Sequence, residues 1–172
     1  DFASKRLSAS PRALFPMSPN HPLSVVRRET HDQLRLLRER YDETTCLVLF
    51  NRSERMLIDF VQGKESLSHF YDTWMDTPLH CSMTGHLLLL EMPALDRRRL
   101  LGPAPYEAHT PKTMTSTEDL ERELELTRER GYAVARDTAF MGLAGVGAPI
   151  RGRGNIVGCL VMVGSSESID AA

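Results

Sequence analysis

The chain has no concentrated positive charge, no paired cysteine spacing and no apolar run long enough to cross a bilayer. Each absence removes a class of function. Lys and Arg total 21 against 23 Asp and Glu, a net charge of −2. No global basic field is available to hold a phosphate backbone, so DNA binding by this chain alone is not expected. No C-x-x-C or H-x-x-x-H spacing suggests a zinc site, and no metal or cofactor is expected. Cys46, Cys81 and Cys159 are isolated and odd in number. They read as reduced thiols of a cytoplasmic protein. Cys46 and Cys159 each sit in an apolar run, where a cysteine is usually a core residue. The apolar runs fall far short of the ~20 residues of a membrane span. The polar start lacks the apolar stretch of a signal peptide. No G-x-S-x-G, P-loop or cooperating acid pair is present, so an enzyme is not expected and the catalytic set is empty.

What is present is the composition of one soluble globular domain: 172 residues, 41% hydrophobic and 26% charged. The chain begins at Asp1 and is expected to be a piece of a longer protein. Residues 1–22 carry Pro11, Pro16, Pro19 and Pro22 among serines. Prolines this dense forbid a regular helix, and the stretch reads as a linker or arm. Residues 23–172 then form the domain. Val26, Thr30, Leu34, Leu37 and Tyr41 fall on one stripe and predict a helix over Val25–Tyr41. Its charged faces read as solvated or as an oligomer contact. Thr44–Phe50 and Arg55–Val61 read as a hairpin around Asn51–Glu54. Phe70, Tyr71 and Trp74 sit in a loop or short helix. Ala94–Leu101 is a short helix, and its three consecutive arginines, Arg97–Arg99, point in different directions. Thr115-Ser116-Thr117-Glu118 reads as a capping box for a helix that ends at Gly131. Tyr132–Arg136, Leu143–Ile150 and Asn155–Val163 are further strands, the last two joined by the glycine-bearing loop Arg151–Gly154. Four to six strands in hairpins with three or four helices make an α/β (α+β) fold: a mostly antiparallel central sheet with helices on its faces.

The most informative stretch is Pro78-Leu79-His80-Cys81-Ser82-Met83-Thr84-Gly85-His86, followed by four leucines. It reads as a turn, a helix start and a buried helix. Ser82 is a good N-cap. Met83, Thr84 and Gly85 would carry N–H groups without intrahelical partners. Gly85 permits close approach to the backbone. Such a start suits a carboxylate or other small anion. No carboxylate or second histidine lies at ligand spacing from His80, so a turn-holding bond to a backbone carbonyl is the favoured role for its ring. His86 reaches a pocket rim or a partner subunit, or is exposed.

Four pieces in order carry a family resemblance: this stretch, Thr110-Pro111-Lys112-Thr113-Met114, Arg128-Glu129-Arg130-Gly131-Tyr132, and Gly142–Ile150 with Val161-Met162-Val163-Gly164. Together they resemble the effector-binding domain of IclR-type bacterial transcription regulators, firmly over about 78–164 and more loosely over 23–77. The resemblance implies a GAF-like fold and a preceding helix-turn-helix domain that is not part of this chain. It implies a small-molecule effector, self-association as dimer or tetramer, and DNA contact only through the other domain.

Carried over position by position, the effector pocket falls at Met83, Thr84 and Gly85, near Ala135 with Asp137 two residues on, and at Gly145, Val161 and Val163. Leu143 and the aromatics Phe70 and Trp74 would add walls. Polar anchors that the family can place at these positions are largely absent. The expected ligand is therefore apolar or aromatic, with one carboxylate at the Met83–Gly85 amides and a bond from Thr84. The competing reading makes Met83, Val161 and Val163 plain core, and Phe70 and Trp74 likewise. Asp137 is expected to pair with Arg136 or cap its loop rather than touch ligand. Two alternative functions stand beside the sensor. One is a GAF-fold thiol oxidoreductase using Cys81, whose place before a helix N-cap would lower its pKa. The other is an assembly module whose pocket binds nothing.

Overall fold

A computed structural model describes residues 20–64 and 77–171. Helix α1 spans Pro22–Tyr41. It starts three residues before the predicted Val25, because proline is tolerated in the first turn and the His21 ring accepts from the Leu23 N–H. Strands β1 (Thr44–Asn51) and β2 (Glu54–Val61) form the first hairpin. A 3₁₀ turn, Leu79–Cys81, leads into α2, Met83–Leu90. Helix α3 spans Ala94–Leu101 and α4 spans Thr117–Arg130. Strands β3 (Ala133–Arg136), β4 (Leu143–Gly152) and β5 (Asn155–Ser165) follow, then α5, Ser166–Ala171. The cap of α4 is one residue later than the sequence suggested. Ser116 accepts from the Asp119 N–H at 3.1 Å and donates to the Asp119 carboxylate at 2.8 Å, so the reciprocal pair is Ser116 and Asp119.

The five strands form one antiparallel sheet in the order β2-β1-β5-β4-β3. The α+β class and the antiparallel sheet are as expected. Helix α1 covers one face, where Leu34 packs with Leu47 and Ile58. Helix α2 covers the other, where Met83 and Leu87 pack with Ala133, Ala135, Val161 and Val163. Helix α4 closes α2 from outside through Leu89, Leu120 and Leu124. Every residue of α2 from Met83 to Leu89 is buried. A helix apolar all round must lie inside, and the four leucines predict this.

A bulge in β2 re-aims side chains. Leu47 faces Asp59 while Val48 faces Leu57, leaving Ile58 as the extra residue. Ile58 then joins the α1-side core, and Asp59 also turns to α1. There it meets Arg27 at 3.2 Å and the His31 ring at 2.7 Å. Arg27, placed on a solvated face by the sequence reading, is thus tied to the sheet. Arg97, one of three consecutive arginines that point different ways, is tied down more tightly still. It bonds the Glu121 carboxylate of α4 and the Met92 carbonyl, and only 11% of its side chain is exposed.

Gly85 shows how close the chain passes at the start of α2. A Cβ there would lie 2.1 Å from the Leu79 carbonyl oxygen and 2.5 Å from its Cα. Backbone cannot yield as a side chain can, so Gly85→Ala is expected to cost about 3 kcal/mol or more, beyond the ~1–3 kcal/mol of ordinary overpacking. Ser82→Ala, which removes the cap and one acceptor of Arg55 but introduces no clash, is expected to cost ~1–2 kcal/mol. Urea unfolding of the two variants checks the order, and equal stability of Gly85→Ala and wild type would contradict the close contact.

Candidate functional site

The start of α2 is held from three sides. Ser82 Oγ accepts from the Gly85 N–H at 3.2 Å. Arg55 reaches across from β2 and donates to Ser82 Oγ at 2.8 Å, to Thr84 Oγ1 at 3.1 Å and to the Thr77 carbonyl. A guanidinium beside the positive end of a helix makes this corner favourable to an anion. His80 Nε2 donates to the Glu107 carbonyl at 3.0 Å, and His86 Nε2 donates to the His80 carbonyl at 3.0 Å. A carbonyl only accepts, so both rings carry their proton on Nε2 when neutral. Burial pushes both imidazoles below their ordinary pKa, which favours that neutral form.

Beside this corner opens a small, half-open cleft. Its walls are Thr77, Cys81, Ser82 and Met83 on one side, with Ala135, Leu143 and Ala144 from the sheet and Thr138, Ala139 and Phe140 from the β3–β4 loop. Of the residues singled out from sequence, Met83, Ala135 and Leu143 line it. Ala135, Gly145 and Val163 form one transverse row across β3, β4 and β5, and Ala133, Gly147 and Val161 form the next. Met83 lies over both rows. Its Cε sits 1.9 Å from where a Gly145 Cβ would be, and its Cγ lies 3.4 Å from where a Gly147 Cβ would be. Gly145, Val161 and Val163 therefore lie beneath the Met83 side chain, in the core. Thr84 turns to Arg55, and Gly85 lies against Leu79. Phe70 and Trp74 are outside the described residues.

Asp137 tethers the loop that roofs the cleft. It adopts a left-handed backbone, φ 57°. Its carboxylate accepts from the Gly142 N–H and Ser166 Oγ, both at 2.7 Å, and from Lys112 Nζ at 2.6 Å. Thr138 Oγ1 donates to the Cys81 carbonyl at 2.7 Å. The loop is thus stapled to the residue preceding the cap of α2. The thiol reading of Cys81 is corrected: burial pushes its pKa up to about 12 despite the nearby Arg55. Cys46 is pushed up to about 12 by the same cause, and Cys159 is raised still further. All three are buried and unbridged. The absence of a second histidine near His80 in sequence is also corrected in space, because the His109 ring lies 6.2 Å from it, centroid to centroid.

A family model for the bacterial transcriptional regulator IclR C-terminal domain matches residues 23–169. The chain belongs to the IclR family. It is 31% identical over 120 residues to the probable transcriptional regulator SauR of Cupriavidus necator, which covers 70% of this chain and 48% of that protein. The crystal structure of the Thermotoga maritima IclR superposes with a TM-score of 0.69 at 27% identity, covering 88% of this chain and 63% of that one. An IclR homologue from Microbacterium hydrocarbonoxydans, solved in complex with 4-hydroxybenzoate, superposes with a TM-score of 0.73 at 22% identity, over 91% of this chain and 65% of that one. At that identity the likeness shows the fold alone. The chain spans about half the length of the curated relatives it matches first. No helix among the described residues is long and apolar enough to cross a membrane.

Sequence reasoning missed three contributors to this corner of the IclR domain. Arg55 was one, although alternation along β2 sets it on the same face as Leu57, where a charge is out of place. Phe140 and His109 were the others, and they arrive through loops that carry no periodic signal. The tether at Asp137 is testable by pH. Lys112, then Ser166, hold its carboxyl at about 2 against an ordinary 3.8. The pKa is lowered on folding, so the stability it contributes is present above about 3.8 and is lost as pH falls through about 2. Asp137→Asn keeps a residue that tolerates positive φ. Its stability deficit relative to wild type, followed by thermal melts, is expected to be full at neutral pH and to shrink between these two values. A deficit independent of pH would refute the tether.

Proposed function

We propose that this IclR-family domain senses a small apolar or aromatic carboxylate in the cleft between α2 and the sheet. Binding would bias the arrangement of the DNA-binding parts of the whole regulator. The observation that carries the reading is the cleft's wall: Met83, Ala135, Leu143, Ala144 and Phe140 are apolar, and Thr77, Ser82 and Thr138 add a few hydroxyls at its edge. A carboxylate would take the Met83 and Thr84 amides, with Arg55 and the positive end of α2 adding attraction. A hydroxyl-rich acid would leave polar groups against these walls unpaired, at ~1–3 kcal/mol each. The Microbacterium homologue, in complex with 4-hydroxybenzoate, supports an aromatic acid as the class to try first. Met83 is the adaptable element. Its unbranched thioether covers Gly145 and Gly147 and can swing to deepen the cleft. Such a ligand shifts the regulator only by its differential affinity for the two arrangements. Self-association as a dimer or tetramer would carry that bias between subunits.

A thermal-shift screen against 4-hydroxybenzoate, other aromatic acids, acyl acids and glyoxylate tests the reading. A ligand at a hundred times its Kd should stabilise the domain by ~2.7 kcal/mol. Aromatic or acyl acids are expected to raise the melting temperature, glyoxylate is not, and Ala135→Leu is expected to abolish the shift by filling the cleft. A shift with glyoxylate alone would overturn the apolar assignment. No shift with any acid, with oligomers still present by light scattering, would favour an assembly module.

A further inference from the structure

A second group of chemistry-bearing side chains adjoins the cleft and shares Cys81 with its wall. One ligating atom each from His80, Cys81 and His109 lie within 4.8 Å of one another. We propose that these three side chains bind a thiophilic divalent cation of the zinc class, with the fourth position open to water or to a carboxylate. Nothing in the function described above calls for such a site.

The donor chemistry fits. His80 gives its Nε2–H to the Glu107 carbonyl at 3.0 Å, so its Nδ1 holds the lone pair that a metal takes. A backbone carbonyl on the distal nitrogen is the usual way a metal-ligating imidazole is oriented. His80 is further fixed by the Tyr106 ring, 5.2 Å away, and by the His86 bond to its own carbonyl. Cys81 supplies sulfur, which binds as the thiolate. Binding therefore exchanges the S–H bond for a metal–sulfur bond and releases one proton to solvent. His109 is exposed and gives an entry path. Glu107 acts electrostatically on both His80 and Cys81, and its negative charge favours a cation. Burial favours the neutral thiol, and Arg55 acts both ways, since its charge favours the thiolate but repels the cation.

The frame around the three ligands is rigid. Thr113 Oγ1 accepts from the His109 and Thr110 N–H groups at 3.0 and 2.8 Å and donates to the Thr138 carbonyl at 2.6 Å. Thr110 Oγ1 donates to the Asp137 carbonyl, and Thr138 Oγ1 to that of Cys81. The segments that carry Cys81 and His109 are therefore held to the same loop that walls the cleft. A 4.8 Å spread among donors is wider than tetrahedral zinc needs at bond lengths of about 2.0–2.3 Å. The exposed His109 ring is the one with room to close it.

The test uses the untagged, reduced chain, titrated with cobalt(II) and then with zinc(II). Wild type is expected to bind one ion per chain and to give the thiolate-to-cobalt charge-transfer absorption, which zinc then bleaches. Cys81→Ser is expected to lose that absorption. His109→Ala, a truncation of an exposed ring that leaves the core alone, is expected to weaken binding by more than about tenfold. His31→Ala, remote from the cluster, is expected to bind as wild type does. Absence of the charge-transfer band in wild type, or wild-type affinity in His109→Ala, would overturn the proposal.

Discussion

The close seating of α2 on the sheet is the constraint on which the rest of the structure depends. Met83 and Leu87 reach the strands because Ala133, Ala135, Gly145 and Gly147 present almost no side chain beneath them. The helix start is equally tight, with Gly85 against the backbone of Leu79. A larger residue at any of these points would lift the helix, and packed interiors have few gaps to absorb the movement. Once α2 is down, its outer side must also be covered, which is what Leu89, Leu120 and Leu124 achieve with α4. The cleft lies beside this seat, between the start of α2, the ends of β3 and β4 and the loop that joins them.

Polar groups around that wedge are joined in a chain rather than scattered. Arg55 links β2 to the cap at Ser82 and to Thr84. Thr138 links the roof loop to Cys81, and Thr110 and Thr113 link the loop bearing His109 to the same roof. Asp137 closes the other end through Gly142 and Ser166. Each buried donor has a nearby acceptor, so the loop keeps one arrangement without a hydrophobic core of its own. His86 leaves one acceptor unused: its Nε2–H is bonded, but its Nδ1 lone pair has no hydrogen-bond partner among the described residues, and burial favours the neutral ring.

Local signals in the sequence were strong where one residue does one physical task. Ser82 before an apolar helix, Gly131 at a helix end and the apolar, β-rich run of β1 each read directly, because capping, positive φ and strand propensity depend on near neighbours. Boundaries moved by a residue or a few: α1 began at Pro22, and the cap of α4 fell at Ser116. Competing polar residues lie side by side there, and the choice rests on tertiary packing. The candidate pocket was partly legible. Ala135, Gly145 and Val163 were named from a family pattern, and their common row depends on a strand register that no local signal specifies.

What the sequence alone determined was therefore the class of fold, the buried helix after Ser82 and the family. These follow from period, capping and motif order, all of which act over a few residues. The tertiary structure decided that β5 lies between β1 and β4, and that Met83 covers Gly145 and leaves a cleft beside it. It also decided that burial raises the Cys81 thiol, although its place before a helix cap had suggested the reverse. His109 comes beside His80 by the same route, through a loop closed by threonines. Contacts between residues far apart in the chain depend on strand order and bulges, and the sequence states neither.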